Sequence, residues 1–574
     1  MARRHLLSPK HRQRGVALLV MVTIIALGAS WMLVSSLNAA SSRTAQNRHE
    51  NARILAESKN ALLGWVMSQA VLAGENNPGR LPCPEAAGYI GTSNEGIAAG
   101  NCSLPAVGRL PWRTLGLSKP FDASGEPLWY VVSPGWALPT VVSTLTINSD
   151  SSGQLGVDGA ANAAVALIIA PGPALDVQAS SGCSARSQVR NALAPDFRDY
   201  LECENASSPA DSSFVTSKPG ATFNDQVVAV TTRDLLPGLE AAISKRIERE
   251  IVPALKTVYG GNFNVLAATP VYPYAAPFAD PGPGAGTSNY QGVAATYQGL
   301  LPFNQTRNCT AAASNPRCLP NLITWAATPW PYKSGGSGSI SGTCYWEGPA
   351  YPLSDARMCE GTYSGDPVVG VLQATFSNVV LGLRALDATK VHLYAHDDTI
   401  WPFDQALAET ITTTTSVTLN SNGTATLTVS GPLPDTATHV PTWDTTAAFR
   451  IRIERSVIGD HALLDATNPT TGWFVRNEWY RLLYYAIAQG QTAANLPSPA
   501  CTTGTNCLTV GAAPDDNKRA LLVLEGRSLG SQTRPSAALG NFLETAENAD
   551  LDTLFDQPRI TAGVNDRVIV VDQN

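Results

Sequence analysis

The chain has 574 residues, 44% of them apolar and 15% charged, with 47 glycines, 40 prolines and a formal net charge of −7. That length exceeds one ordinary domain, and the glycine and proline content points to a β-rich, loop-rich body. The acidic balance excludes the basic footprint of a nucleic-acid-binding protein, so no nucleic-acid partner is expected. Residues 1–15 hold Arg3, Arg4, Lys10, Arg12 and Arg14 and no acid. From Val16 to Leu37 no residue is charged. As a helix the run Gly15–Leu37 would extend about 33 Å, enough for the hydrocarbon core of a bilayer. With the cations before it and the next one only at Arg43, the leader is expected on the cytoplasmic side and the body across the membrane.

Beyond the apolar run no proline interrupts the chain before Asn77, and Ile54, Leu55, Leu62, Leu63, Val66 and Met67 recur at helical spacing. One long helix over 16–75 is therefore predicted, membrane-embedded first and amphipathic second. Turns follow from Asn76. LWYVV (128–132), VALIIAPG (165–172) and FNDQVVAV (223–230) read as strands. A second long helix is predicted over 234–260, with Asp234 as its N-cap and Pro237 tolerated in its first turn.

An internal repeat organises the rest. Gly172 to Gln178 matches Gly526 to Gln532, each after an apolar run. Tyr200-Leu201-Glu202 with Glu204-Asn205 matches Phe542-Leu543-Glu544 with Glu547-Asn548. Phe214 precedes Asn224-Asp225 as Phe555 precedes Asn565-Asp566, and each Asn-Asp opens a β run. LWYVVS (128–133) resembles LYYAIA (483–488), and Gly108 to Trp112 resembles Gly299 to Phe303. The expected fold is α+β: two helix-plus-antiparallel-sheet modules, the first over 76–232, the second over 234–375 and 471–574. Alternation in KVHLYAH, TTTTSVTLNSNGTATLTVSG and AAFRIRIERSV, with a hairpin signal at Asn422-Gly423, predicts a β-sandwich inserted at 376–470.

The ten cysteines fall into five local pairs: Cys83/Cys102, Cys183/Cys203, Cys309/Cys318, Cys344/Cys359 and Cys501/Cys507. No C-x-x-C or zinc-type histidine spacing accompanies them. Disulfides across short loops fit better and agree with an exported body. The pairing rests on proximity alone.

Chemistry-bearing motifs are few. There is no P-loop, H-E-x-x-H or G-x-S-x-G, and the seven histidines are scattered, so no catalysis is expected. His396-Asp397-Asp398 reads as a surface turn before a metal cluster. The repeated acidic elements leave two readings open. Asx side chains readily bond their own backbone, which makes a structural turn the default. Glu202, Asn205 and Asp225, and likewise Glu544, Asn548 and Asp566, are also oxygen-bearing sets suited to Ca2+. No other cofactor is implied. Trp112, Trp129, Tyr130, Trp479, Tyr484 and Tyr485 lie near the predicted strands and are read as core.

Arg12-Gln13-Arg14-Gly15 followed by VALLVMVTIIALG resembles the class III leader of type IV pilin-like proteins. The segment from LAESKNALLGW through GRLPCP and GRLPWRTLGL to LWYVVSP is similar to a group of large pilin-like proteins of Gram-negative bacteria. The resemblance implies cleavage between Gly15 and Val16 by a prepilin peptidase and methylation of Val16. It further implies packing of the apolar helix against other pilin-like subunits, and a single-pass inner-membrane protein with a periplasmic body. The expected function is that of a minor pilin or pseudopilin contributing to the assembly or tip of a type IV pilus or type II secretion-like filament. Val20 stands where most pilins carry Glu at the fifth mature position. That departure favours a minor subunit, or a membrane-anchored adhesin or binding protein that does not polymerise.

Overall fold

The computed structural model describes the chain from residue 13 onward except for several loops, the longest being 257–271, 306–322, 397–413 and 433–446. Between 304 and 462 the described part is the strand backbone, and the side chains of 13–17 and most of 33–41 lie outside the described residues. Two compact units result: residues 1–65, 80–143 and 152–234, and residues 66–79, 144–151 and 235–574.

Helix α1 runs unbroken from Gln13 to Ala70. Its second half buries Asn51, Leu55, Ser58, Leu62, Val66 and Ala70, a single stripe at three- and four-residue steps. Its first half is exposed: Leu18 is 68% accessible and Trp31 74%. Among the described residues no helix is long and apolar enough to cross a membrane. Part of the span expected at 15–37 falls outside those residues.

In the first unit, strands β1 (Ala106–Arg109), β2 (Trp129–Val132), β5 (Ala166–Ala170) and β7 (Gln226–Val230) form an antiparallel sheet in the order β1-β2-β5-β7. A smaller sheet joins β4 (Ala160–Ala164) to β3 (Leu155–Val157), which pairs in parallel with β6 (Ser213–Phe214). Helix α1 is tied to the four-stranded sheet by Lys59, whose ammonium lies 2.9 Å from Asp234 Oδ2 and donates to the Ala229 carbonyl of β7 at 3.0 Å. A further tie is the Ala123 amide, which donates to Asn51 Oδ1 at 2.7 Å.

The second unit repeats this plan. Strands β8 (Gln298–Leu300), β17 (Leu483–Ile487), β19 (Lys518–Leu524) and β21 (Arg567–Gln573) form an antiparallel sheet in the order β8-β17-β19-β21. β18 (Thr509–Val510) and β20 (Leu554–Phe555) supply the parallel pair. The registers coincide residue by residue. In the first sheet Gly108 lies opposite Tyr130, Tyr130 opposite Ile168, and Ile168 opposite Val228. In the second, Gly299 lies opposite Tyr485, Tyr485 opposite Leu522, and Leu522 opposite Ile569. These are the partners that the sequence repeat matches to one another.

The helix preceding the second sheet begins earlier than expected and is not uniform. It comprises α2 (Thr232–Arg246), a π-turn at Ile247–Ile251 and α3 (Val252–Lys256). Asp234 is not its N-cap. Asp234 sits inside the first turn and accepts the Thr231 amide at 2.8 Å and the Thr231 hydroxyl at 2.7 Å. That is the back-reaching half of a capping box. Fully buried Arg246 bonds Glu250 at 3.0 Å and the Glu75 carbonyl at 2.7 Å, and its guanidinium lies 4.4 Å from the Trp473 ring centre.

The inserted block starts well before residue 376. β9 (Ile323–Trp325), β12 (Val369–Phe376), β15 (Ala425–Pro432) and β14 (Thr414–Leu419) form one four-stranded sheet. β10 (Ile340–Trp346), β11 (Ala356–Tyr363), β16 (Ala447–Glu454) and β13 (Val391–His396) form another. The strands expected from alternation pair with partners at 323–376, where glycine and cysteine dilute the alternation. The 414–432 hairpin is present, with Leu419 opposite Ala425; its connecting Asn422-Gly423 lies outside the described residues.

Three of the five cysteine pairs form disulfides: Cys83–Cys102, Cys183–Cys203 and Cys501–Cys507. Cys344 and Cys359 are register partners on β10 and β11, with side chains outside the described residues, as are Cys309 and Cys318.

Candidate functional site

The structure gathers the repeated acidic residues into two buried polar knots, one per unit. Each knot ties the loop after a central strand to the start of the last strand. In the first, Glu202 Oε2 accepts the amides of Asn224 at 2.9 Å and Asp225 at 3.1 Å, and Oε1 accepts Gln188 Nε2 at 2.7 Å. Asp225 Oδ2 accepts the Glu202 amide at 3.1 Å and Asn205 Nδ2 at 3.0 Å. Asn205 Oδ1 accepts the Val215 amide at 2.9 Å.

The second knot repeats four of these six bonds. Glu544 Oε2 accepts the Asn565 amide at 3.0 Å and Oε1 accepts Gln532 Nε2 at 3.1 Å. Asp566 Oδ2 accepts the Glu544 amide at 3.1 Å, and Asn548 Oδ1 accepts the Asp556 amide at 2.8 Å. An arginine clasps each loop. Arg190 donates to the Gly172 carbonyl at 2.6 Å and covers the Tyr200 ring; Arg534 donates to the Gly526 carbonyl at 2.7 Å and covers the Phe542 ring. Glycine is required beneath both knots. A Cβ on Gly172 would stand 2.7 Å from Asn224 Cγ, and one on Gly526 would stand 2.4 Å from Asn565 Cγ.

The knots also correct the sequence alignment. Gln532 Oε1 accepts the Leu529 amide at 2.7 Å, and it is Gln188 Oε1, not a Gln178 oxygen, that accepts the Leu175 amide, at 2.9 Å. The first copy carries extra residues here, including Cys183. The short pattern Gln188-Val-Arg190 against Gln532-Thr-Arg534 is the signal that finds both the glutamine and the arginine.

Chemically, each knot is a carboxyl pair. Glu202, Asp225 and Asp566 are buried or nearly so. Asp225 Oδ1 and Asp566 Oδ1 are buried without a hydrogen-bond partner. Burial, and then the neighbouring Glu202 carboxylate, push the Asp225 carboxyl far above the usual range. Burial and then Glu544 push Asp566 up to about 8. Glu202 is raised by burial, an effect opposed by the amide of Asn224. Two like charges in so small a volume do not both ionise, so each pair holds a proton, and the Oδ1 of Asp225 and of Asp566, which accepts no donor, is the atom left to carry it. A calcium ion asks for six to eight oxygens. Of the six side chains expected to supply them, every oxygen named above except the two Oδ1 atoms already accepts a donor. This geometry favours the structural reading of the two sets over the cation reading.

A second polar cluster occupies the second unit. Arg481 is 2% accessible and bonds Asp280 at 3.1 Å, with Asp150 at 3.5 Å and Glu478 at 3.4 Å. Glu525, fully buried, has both carboxyl oxygens without a hydrogen-bond partner, and burial raises it well above the ordinary carboxyl range. It stands where the first copy has Pro171. Among the described residues, metal-ligand spacing occurs at Glu547, Asp550 and Asp552, partly or fully exposed. Gly15 and Val16 lie in the first turns of α1. Asp397 and Asp398 fall outside the described residues, as does the side chain of His396. Trp129, Tyr130, Trp479, Tyr484 and Tyr485 are buried as expected of core; Trp112 is half-buried and lies against Gly96.

No family model, curated protein or solved structure matches the chain.

Proposed function

We propose that the chain is a minor pilin- or pseudopilin-like subunit, anchored by α1 in the inner membrane with its body in the periplasm. The observation that carries this reading is the division of α1. One continuous helix has a half docked through Leu55 and Leu62, and a half whose large apolar side chains, from Leu18 to Met32, are exposed. Exposed apolar surface of that kind needs lipid or a neighbouring helix to cover it. Three disulfides support an oxidising compartment for the body. On this reading a prepilin peptidase removes residues 1–15 and methylates Val16, and the freed helix packs with those of other subunits at a filament tip.

A second reading is favoured by Val20. Without a Glu there, the helix lacks the group that would pair with a neighbouring N-terminus, and the chain would serve as an anchored binding protein outside any filament. Replacing Gly15 with a bulky residue tests the shared premise. Processing should stop, and the variant should migrate more slowly than wild type; equal mobility would count against a pilin-type leader.

A further inference from the structure

We propose that the Cys183–Cys203 disulfide is an exchange site for a small acidic thiol, and that its reduction releases the first knot. Exposure sets it apart from the other two described disulfides. Cys183 and Cys203 are both half-buried, whereas Cys83, Cys501 and Cys507 are buried. The bridge also borders a cavity of about 320 Å³, whose lining includes Leu201, Cys203 and Ala206 with Arg186 and Arg198. A reagent can therefore reach this sulfur bridge and has room beside it.

The bridge is built into the knot. Glu202 directly precedes Cys203, and Gln188, which donates to Glu202 Oε1 at 2.7 Å, lines the same cavity. The second knot shows what the bridge does there. Between Glu544 and Asn548 the chain has one residue more than between Glu202 and Asn205, and residues 508–574 hold no cysteine. Thr545, after Glu544, keeps an ordinary extended backbone at φ −85°. In the shorter first copy Cys203 turns left-handed, at φ 50°, a conformation costly to any residue with a Cβ. The second knot thus closes without a disulfide, while the first closes on a strained residue that the sulfur bridge restrains. Breaking the bridge lets Cys203 relax and draws Glu202 away from the Asn224 and Asp225 amides, which it accepts at 2.9 Å and 3.1 Å.

The cavity selects the reagent. Among the described lining residues the charged ones are both arginines. Arg186 is held by Asp199 at 2.6 Å; Arg198 is looser, 3.8 Å from Asp196, with its side chain 57% exposed. Guanidiniums draw a carboxylate and favour the thiolate, the form that attacks. That thiolate attacks Cys203 Sγ. A bond forms between the two sulfurs as the bond to Cys183 Sγ breaks, and Cys183 leaves with the electron pair as a thiolate. A second thiolate then takes the first off Cys203 in the same way. Two thiols become one disulfide, the bridge becomes two thiols, and the two protons pass from reagent to cysteines. The inference stands whether or not the chain enters a filament.

The test adds mercaptopropionate, or cysteamine as its cationic counterpart, to the oxidised full chain in detergent, with alkylation and peptide mapping at intervals. Cys183 and Cys203 should be labelled first, with Cys83–Cys102 and Cys501–Cys507 still linked. Each rate is divided by that of the same thiol with a small free disulfide. On that scale mercaptopropionate should be faster by about tenfold, and high salt should narrow the gap. Hydrogen exchange of the selectively reduced chain should show the Asn224 and Asp225 amides unprotected. The Asn565 amide, which Glu544 accepts at 3.0 Å, should stay protected. Cys183→Ser with Cys203→Ser should show the same exchange without reductant; the wild-type measurements stand even where that variant does not fold. Another disulfide reduced first, cysteamine as fast as mercaptopropionate, or unchanged protection at Asn224 and Asp225 would overturn the proposal.

Discussion

Replacing Asp566 with asparagine separates a knot that holds a buried proton from every other account of the acidic pair. In the folded chain the Asp566 carboxyl titrates at about 8, against 3.8 for a free aspartate, chiefly because it is buried and then because Glu544 faces it. The folded state therefore holds a proton that the unfolded chain releases at lower pH. Its stabilising effect is complete below the unfolded pKa and is lost as pH rises through the folded one. Between those limits each pH unit costs about 1.4 kcal/mol per proton. Near neutrality the loss is on the order of 4 kcal/mol relative to acid. Asparagine keeps an oxygen to accept the Glu544 amide, bonded at 3.1 Å in the wild type, and offers a permanent N–H where Oδ1 must otherwise carry the proton. Urea unfolding followed by tryptophan fluorescence is the assay. The wild type should be less stable at about pH 8 than at about pH 5, and Asp566→Asn should flatten that slope and be the more stable protein at the higher pH. Asp566→Ala should be destabilised at both. A wild type that gains stability with pH, or an asparagine variant as weak as the alanine one, would refute the buried proton. A melting point lowered by chelator in the wild type alone would place a cation on the orphan oxygen instead.

Other predictions follow from single contacts. Gly526→Ala must displace Asn565, whose Cγ would lie 2.4 Å from the new methyl; a loss of about 1–3 kcal/mol in the same unfolding assay is expected. Arg246→Ala removes the bond to the Glu75 carbonyl and leaves Glu250, itself bonded by Trp473 Nε1 at 2.8 Å, with only the half-exposed Arg249 as its ion partner. It should destabilise the second unit by about 3–5 kcal/mol, read as lost hydrogen-exchange protection in β21. Non-reducing peptide mapping should recover Cys83–Cys102, Cys183–Cys203 and Cys501–Cys507 as linked peptides, and a majority of free thiols would contradict the oxidising compartment.

The repeat was the most legible feature, because strand pairing preserves the order in which apolar rows were written. Gly108 with Tyr130 and Gly299 with Tyr485 match in the sequence repeat, and the ladders place them identically. The knots were half legible. Glu202, Asn205 and Asp225 stood out because they recur, but Gln188 and Arg190 did not, since the disulfide loop before them shifts the spacing in one copy only. The start of the insertion is not legible because β10 and β11 carry Gly342, Gly361, Cys344 and Cys359, which blur the alternation that marks β14 and β16. The segments 66–79 and 144–151 belong with the second unit, an assignment no local pattern announces. It rests on bonds such as Asn148 Nδ2 to the Asn477 carbonyl at 2.8 Å, across a sequence separation no periodicity spans. Burial of Asn477 and Arg481 is likewise invisible in sequence, where both read as surface.

The proposed role turns on what happens at Gly15, and intact mass of the protein purified from its native membrane tests it most directly. The account predicts a chain lacking residues 1–15 whose first residue, Val16, carries one added methyl group. A mass that includes residues 1–15 would contradict it.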